Sequence, residues 1–127
     1  MNPDRDAGST LLVGIPGPDL GRDAALALRA LRPAGVILFR RNLDTPDRLT
    51  RLWTDLAAVL DDPWMLAIDQ EGGRVSRLEP WIGTTPAAAR VAAAGAEHAF
   101  DFGRATGAAV AALGFDLDFA QIGRAHV

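Results

Sequence analysis

Four short, continuously apolar runs recur along the chain, separated by stretches whose apolar residues return every three or four positions. The first, Thr10-Leu11-Leu12-Val13-Gly14-Ile15, closes on Pro16-Gly17-Pro18 and reads as a buried strand. The second, Val36-Ile37-Leu38-Phe39, stops at Arg40-Arg41-Asn42, and the third, Trp64-Met65-Leu66-Ala67-Ile68, ends in Asp69. A fourth begins at Phe115-Asp116-Leu117-Asp118-Phe119-Ala120. Between the first two, Asp19 is placed to cap a helix through Ala24, Leu26, Leu28 and Leu31, which ends at Arg32-Pro33 because proline cannot continue it. Thr45-Pro46 marks the next start, as cap and first helical residue, and Leu49, Leu52, Trp53, Leu56 and Leu60 form one apolar face ended by Asp61-Asp62-Pro63. After the third strand, Glu79 to Pro86 is expected as a loop and Ala87 to Ala94 as a short helix interrupted by Gly95. Glu97 to Leu113 is a longer helix with Phe100, Ala105, Ala109 and Leu113 available for packing, and Gly114 suits a left-handed cap.

Strands that are apolar on both faces and alternate with amphipathic helices imply an α/β fold with a parallel sheet and right-handed crossovers. The spacing fits a doubly wound sheet or a (β/α)₈ barrel. Four strands are half of a barrel, and such a segment exposes edge strands that need partners. It is not expected to be a stable monomer by itself.

Composition narrows the function classes. The formal net charge is −3, all 13 basic residues are Arg, and no basic block marks a nucleic-acid footprint. With no cysteine, disulfides and thiolate metal sites are excluded. Met1 to Thr10 is polar, without the apolar core of a signal peptide, and Leu11 to Ile15 is too short to span a membrane, so a cytoplasmic protein with no membrane partner is expected.

The chemistry gathers in Ile68 to Leu78, where an apolar strand delivers polar groups to the sheet edge at which ligands bind in parallel α/β proteins. Asp69 can accept hydrogen bonds from neighbouring sugar hydroxyls; the alternative is an Asp bonding its own loop. Glu71 lies too close in sequence to share one reacting centre with Asp69 at the separation glycoside hydrolysis needs, and reads as a loop support. Gly72-Gly73 permits positive φ and close approach of a ligand to the backbone. Arg74 and Arg77 could each bind a carboxylate or hydroxylated ligand, and for Arg74 an ion pair with Glu71 or Glu79 is favoured. Arg40, Arg41 and Asn42 fall on the same edge, as pocket rim or solvated turn. His98 reads as a surface residue, and no spacing of His, Asp and Glu forms a metal site, so no cofactor is expected.

Three landmarks in order resemble glycoside hydrolase family 3, in its β-N-acetylhexosaminidase branch. They are Gly35-Val36-Ile37-Leu38-Phe39 with Arg41-Asn42, the highly specific Ala67-Ile68-Asp69-Gln70-Glu71-Gly72-Gly73-Arg74-Val75-Ser76-Arg77-Leu78, and Leu113-Gly114-Phe115-Asp116-Leu117-Asp118-Phe119-Ala120. The resemblance covers Leu11 to Ala120. It implies the N-terminal half of a (β/α)₈ TIM-type barrel and removal of terminal β-linked N-acetylglucosamine, from cell-wall or chitin-derived sugars, by a retaining mechanism without a metal. It further implies that Asp69 and Arg77 bind the carbohydrate substrate and that Glu71, Gly72, Gly73 and Arg74 support the loop. The family's nucleophile is a late Asp and its acid/base a His on a mobile loop. Both are expected beyond residue 127, so no catalytic residue is assigned here and the segment alone is expected to be inactive. A β-glucosidase or β-xylosidase of the same family, or a non-catalytic sugar-binding half-barrel, are the alternatives.

The pattern breaks at Gln121, where the family has Pro. Ile122-Gly123-Arg124-Ala125-His126-Val127 equals the translation of the adapter codons ATC GGA AGA GCA CAC GTC. The expected organisation is therefore a flexible lead over 1–9, a partial barrel domain over 10–120, and a non-native tail over 121–127 in preference to a natural terminal loop.

Overall fold

The computed structural model describes residues 7–61 and 63–120. Four strands, β1 (Leu12–Gly14), β2 (Gly35–Leu38), β3 (Met65–Ile68) and β4 (Leu117–Asp118), form one sheet. Helices α1 (Arg22–Leu31) and α2 (Pro46–Ala57) make the first two crossovers, while α3 (Glu79–Ile82), α4 (Ala88–Ala93) and α5 (Ala96–Ala112) share the third. Every neighbouring pair is parallel and the spatial order is β1-β2-β3-β4. A doubly wound sheet reverses its order at a switch point; an unreversed one is the wall of a barrel. The fold is thus α/β and the half-barrel expectation holds.

The strand registers decide which side chains face the helices. Val36 pairs with Leu66 and Leu38 with Ile68, and all four have no exposed surface. They pack with Leu28, Leu49, Leu52 and Leu56 in one core between sheet and helices. Residues of the other parity, Leu12, Ile37 and Met65, face the opposite side, where Met65 remains 40% exposed. This face would be the interior of a closed barrel, and β1 and β4 are its open edges.

Local chemistry explains most element boundaries. The Thr45 hydroxyl accepts from the Arg48 amide at 3.2 Å with Pro46 at the first helical position, as expected for a capped start. Arg32 ends α1 in the left-handed conformation, directly before Pro33, and Gly114 follows α5 at φ +82°.

Several expectations are corrected. Asp19 does not cap α1, whose N-cap is Gly21 without a side-chain bond; it pairs instead with Arg48 of α2. Leu26 and Leu31 are exposed, and the packed positions of α1 are Leu28 with partial cover of Ala24 and Ala25. The second helix ends at Ala57, before Asp61 and Pro63; Asp62 lies outside the described residues. Part of the expected loop after Leu78 is the single turn α3. On α5 the packing phase differs: Phe100 is 71% exposed, whereas Val110 is buried and Phe102, Thr106, Ala109 and Leu113 are half-buried. Glycines and alanines so dilute the apolar pattern of this helix that its sequence alone does not set the face.

Of the expected lead, residues 1–6 lie outside the described residues, and the carbonyls of Ala7 and Gly8 accept from the amides of Thr10 and Leu11. The tail over 121–127 also lies outside them. Among the described residues no helix is long and apolar enough to cross a membrane.

Candidate functional site

The site is built at the C-terminal edge of β3, where Asp69 leaves the sheet. The chain then turns back on itself. The amides of Glu71 and Gly72 both donate to the Val75 carbonyl, at 2.9 and 3.1 Å, and Val75 returns a bond to Gly72. Two left-handed residues make this turn possible, Gly72 at φ +87° and Gly73 at φ +59°. What approaches these glycines is the protein's own backbone. A Cβ on Gly72 would lie 2.3 Å from the Pro86 carbonyl oxygen, and one on Gly73 would lie 2.7 Å from Ala87 Cβ. The positive φ expected of the pair is present, but the close neighbour is the 85–87 segment, which also accepts the Gly73 amide at Thr85.

The turn brings Arg77 back to Asp69. Their Nη2 and Oδ2 atoms are 3.4 Å apart, and each side chain keeps 25% of its surface. Arg77 Nε is buried without a hydrogen-bond partner. Phe39, directly after β2, has two guanidinium groups over its ring: Arg77 lies 5.9 Å and Arg41 4.8 Å from the ring centre. Arg74 is exposed at the tip of the turn.

Asp69 and Glu71 together line a cavity of about 390 Å³ with Leu12, Ile37 and Phe119, on the open face of the sheet. Sequence spacing places Glu71 in the supporting loop alone; the structure also brings it to the same hollow as Asp69. The backbone reversal after Gly72 allows this, and it is not visible in a pattern of residue types.

Two further residues hold this arrangement; both fall within the sequence landmarks, but residue type and spacing assign neither a role. Gln70 is almost wholly buried, at 1% exposure. Its Oε1 accepts from the amides of Arg77 at 2.8 Å and Leu78 at 3.0 Å, and its Nε2 lies 3.1 Å from Ser76 Oγ. Asp118, on β4, accepts the Gln70 amide at 2.8 Å. Burial raises the Asp118 carboxyl above the ordinary carboxylate range; the Gln70 bond opposes this, and the charges of Asp69 and Glu71 add to it.

The Arg40–Asn42 segment is neither a solvated turn nor a rim throughout. It forms a 3-10 turn in which Asn42 is fully buried. Its Oδ1 accepts from the Phe39 amide, and its Nδ2 donates to the carbonyls of Ile15 and Gly17 at 3.1 and 2.8 Å. Asn42 therefore staples the end of β1 to the end of β2. Arg40 and Arg41 are both exposed, and donate to the carbonyls of Leu43 and Ile15 respectively, each at 3.1 Å. His98 is exposed on α5. Among the described residues no cluster of His, Cys, Asp and Glu could hold a metal ion.

A parallel, unreversed barrel wall defines a β/α-barrel domain, and the strand edge at which Asp69 and Arg77 meet is the end where such barrels carry their sites. The family model described as "Glycosyl hydrolase family 3 N terminal domain" matches residues 16–123. The chain belongs to glycosyl hydrolase family 3. A β-hexosaminidase of Xylella fastidiosa (strain 9a5c) is 35% identical over 119 residues, covering 88% of this chain and 36% of that protein. Among solved structures, the family 3 β-N-acetylglucosaminidase from Paenibacillus sp. str. FPU-7 superposes with a TM-score of 0.84 at 30% identity, over 94% of this chain and 24% of that one. NagZ from Neisseria gonorrhoeae, solved with N-trifluoroacetyl-D-glucosamine, gives a TM-score of 0.75 at 28% identity, over 90% of this chain and 35% of that one. The chain spans about a third of the length of the curated relatives it matches.

Proposed function

We propose that this chain supplies part of the sugar-holding side of a β-N-acetylhexosaminidase that removes terminal β-linked N-acetylglucosamine with retention of configuration. The observation that carries the reading is the contact of Arg77 with Asp69, which lines the cavity on the open face of a family 3 barrel wall. Asp69 accepts hydrogen bonds from two neighbouring hydroxyls of the non-reducing sugar, and Arg77 donates to one of them. Glu71, Gly72, Gly73 and Arg74 form the loop that holds this pair. Names of relatives support the substrate class: β-hexosaminidases by sequence, and a structure solved with an N-acylated glucosamine. Cell-wall or chitin-derived sugars supply such termini.

The activity is that of the complete family domain, of which the described residues provide four strands, and the 127 residues alone are expected not to cleave the bond. The test is turnover of an aryl N-acetyl-β-glucosaminide by the complete domain, with the aryl β-glucoside and β-xyloside in parallel. Asp69→Ala is expected to lower kcat/KM by about 10²- to 10⁴-fold, the loss of two hydrogen bonds to a charged group. Preference for the glucoside or xyloside would overturn the substrate, and full activity of Asp69→Ala would overturn the site. Turnover by the 127 residues alone would refute the claim that the bond-breaking groups lie elsewhere.

A further inference from the structure

The Asp69–Arg77 pair does not hold itself in place. At 3.4 Å its contact is at the long end of the hydrogen-bond range, and Arg77 Nε has no partner. The backbone that carries Arg77 is held firmly by another residue. Gln70 is buried beside it, accepts from the Arg77 and Leu78 amides through one oxygen, and reaches Ser76 with its nitrogen. Its own amide is anchored across the sheet on Asp118 of β4.

We infer that Gln70 is a positioning residue, which fixes the backbone of Arg77 so that the guanidinium stands opposite Asp69. This rests on the reading that Asp69 and Arg77 hold the sugar. The chemistry accounts for the residue type. Two adjacent backbone amides point at one spot, and an unmade bond there would leave buried donors unsatisfied. A carboxylate could accept both, but Asp69, Glu71 and Asp118 already concentrate negative charge nearby. A neutral amide accepts both donors without adding to that repulsion, and its nitrogen serves Ser76. Asparagine, one methylene shorter, does not reach.

The test is a double-mutant cycle in the complete domain, read as KM and kcat on an aryl N-acetyl-β-glucosaminide. Gln70→Met, which keeps volume and loses the hydrogen bonds, is expected to raise KM about tenfold with kcat changed less than about threefold. In an Arg77→Ala background the same substitution is expected to change KM less than about twofold, because the group it positions is gone. Gln70→Glu keeps an oxygen for both amides but adds a buried charge beside Asp69, Glu71 and Asp118 and loses the bond to Ser76, so it is expected to raise KM, and by a factor that falls as pH is lowered and the new carboxyl is protonated. An unchanged KM in Gln70→Met, or the same factor with and without Arg77, overturns the inference. If Gln70→Met does not fold, Gln70→Asn takes its place in the cycle with the same deciding outcomes. A wild type that turns over no aryl β-glycoside, or an Arg77→Ala variant with unchanged KM, overturns the sugar site itself and this inference with it. Failure at Gln70 alone, with Arg77→Ala impaired, leaves the sugar site standing.

Discussion

Asp118→Asn is expected to stabilise the protein at neutral pH although it removes a charge from a hydrogen-bonded pair. The Asp118 carboxylate accepts the Gln70 amide at 2.8 Å, and an asparagine oxygen can do the same. What the substitution removes is a half-buried charge that sits near Asp69 and Glu71. Asp118→Ala, by contrast, strands a partly buried amide and should cost about 1–3 kcal/mol. At pH 7 the two variants should therefore fall on opposite sides of wild type, separated by at least about 1 kcal/mol. The pH dependence follows from the direction of the shift. A carboxyl raised in the folded state binds its proton more tightly there than in the unfolded chain. Wild type therefore loses stability as pH rises from the ordinary carboxyl value through the raised one, and the full loss is present above it. Asp118→Asn lacks that loss, so its advantage should be absent in acid and constant near neutrality. Urea unfolding of the complete domain at a series of pH values, followed by circular dichroism, measures this. An Asn variant as destabilised as the Ala variant at pH 7 would refute the reasoning, since it would mean that the carboxylate is needed in its charged form.

Other expectations follow from contacts already described. Gly73→Ala combines a left-handed residue with a Cβ 2.7 Å from Ala87 Cβ, and should cost about 2–4 kcal/mol in urea unfolding. Gly83→Ala is the comparison: its φ is +80° with ψ 177°, a region nearly confined to glycine, but nothing lies within 4 Å, so only the backbone cost of about 1–3 kcal/mol should appear. Asn42→Ala leaves the Gly17 carbonyl and the Phe39 amide without their side-chain partner, and the Ile15 carbonyl with Arg41 alone, and should destabilise by about 2–4 kcal/mol by the same measurement. The 127 residues on their own, with Met65 and Phe119 uncovered on the open face, should bind a hydrophobic dye and elute larger than a monomer in gel filtration. A compact, dye-negative monomer would show that the open face is satisfied within the chain.

Much of the architecture was legible because hydrophobic periodicity is local. Runs such as Val36–Phe39 and Trp64–Ile68 are continuously apolar, with Val36, Leu38, Leu66 and Ile68 buried against the helices, and Leu49, Leu52 and Leu56 repeat at helical spacing beneath them. The cap at Thr45-Pro46 was equally readable, because its hydrogen bond closes within three residues. Where the pattern is weak it misled. In α5 the alanines and glycines left Phe100 as the obvious anchor, yet it points to solvent and Val110 faces the core. Asp19 has the right chemistry for a cap, but Arg48 of the next helix competes for it.

The sequence by itself determined the alternation of strands and helices, the placement of Asp69 at a strand's end, and the freedom of Gly72-Gly73 to take positive φ. All three depend on interactions between near neighbours, so residue type and spacing suffice. Only the tertiary structure decided that the sheet runs unreversed as a barrel wall, that Asn42 and Gln70 are buried, and that Glu71 shares a hollow with Asp69. Asn42 bonds a carbonyl 27 positions away and the Gln70 amide bonds Asp118 48 positions away. An uncharged polar side chain is equally at home in water or in a satisfied interior. Which one it occupies depends on partners that the distant chain brings to it.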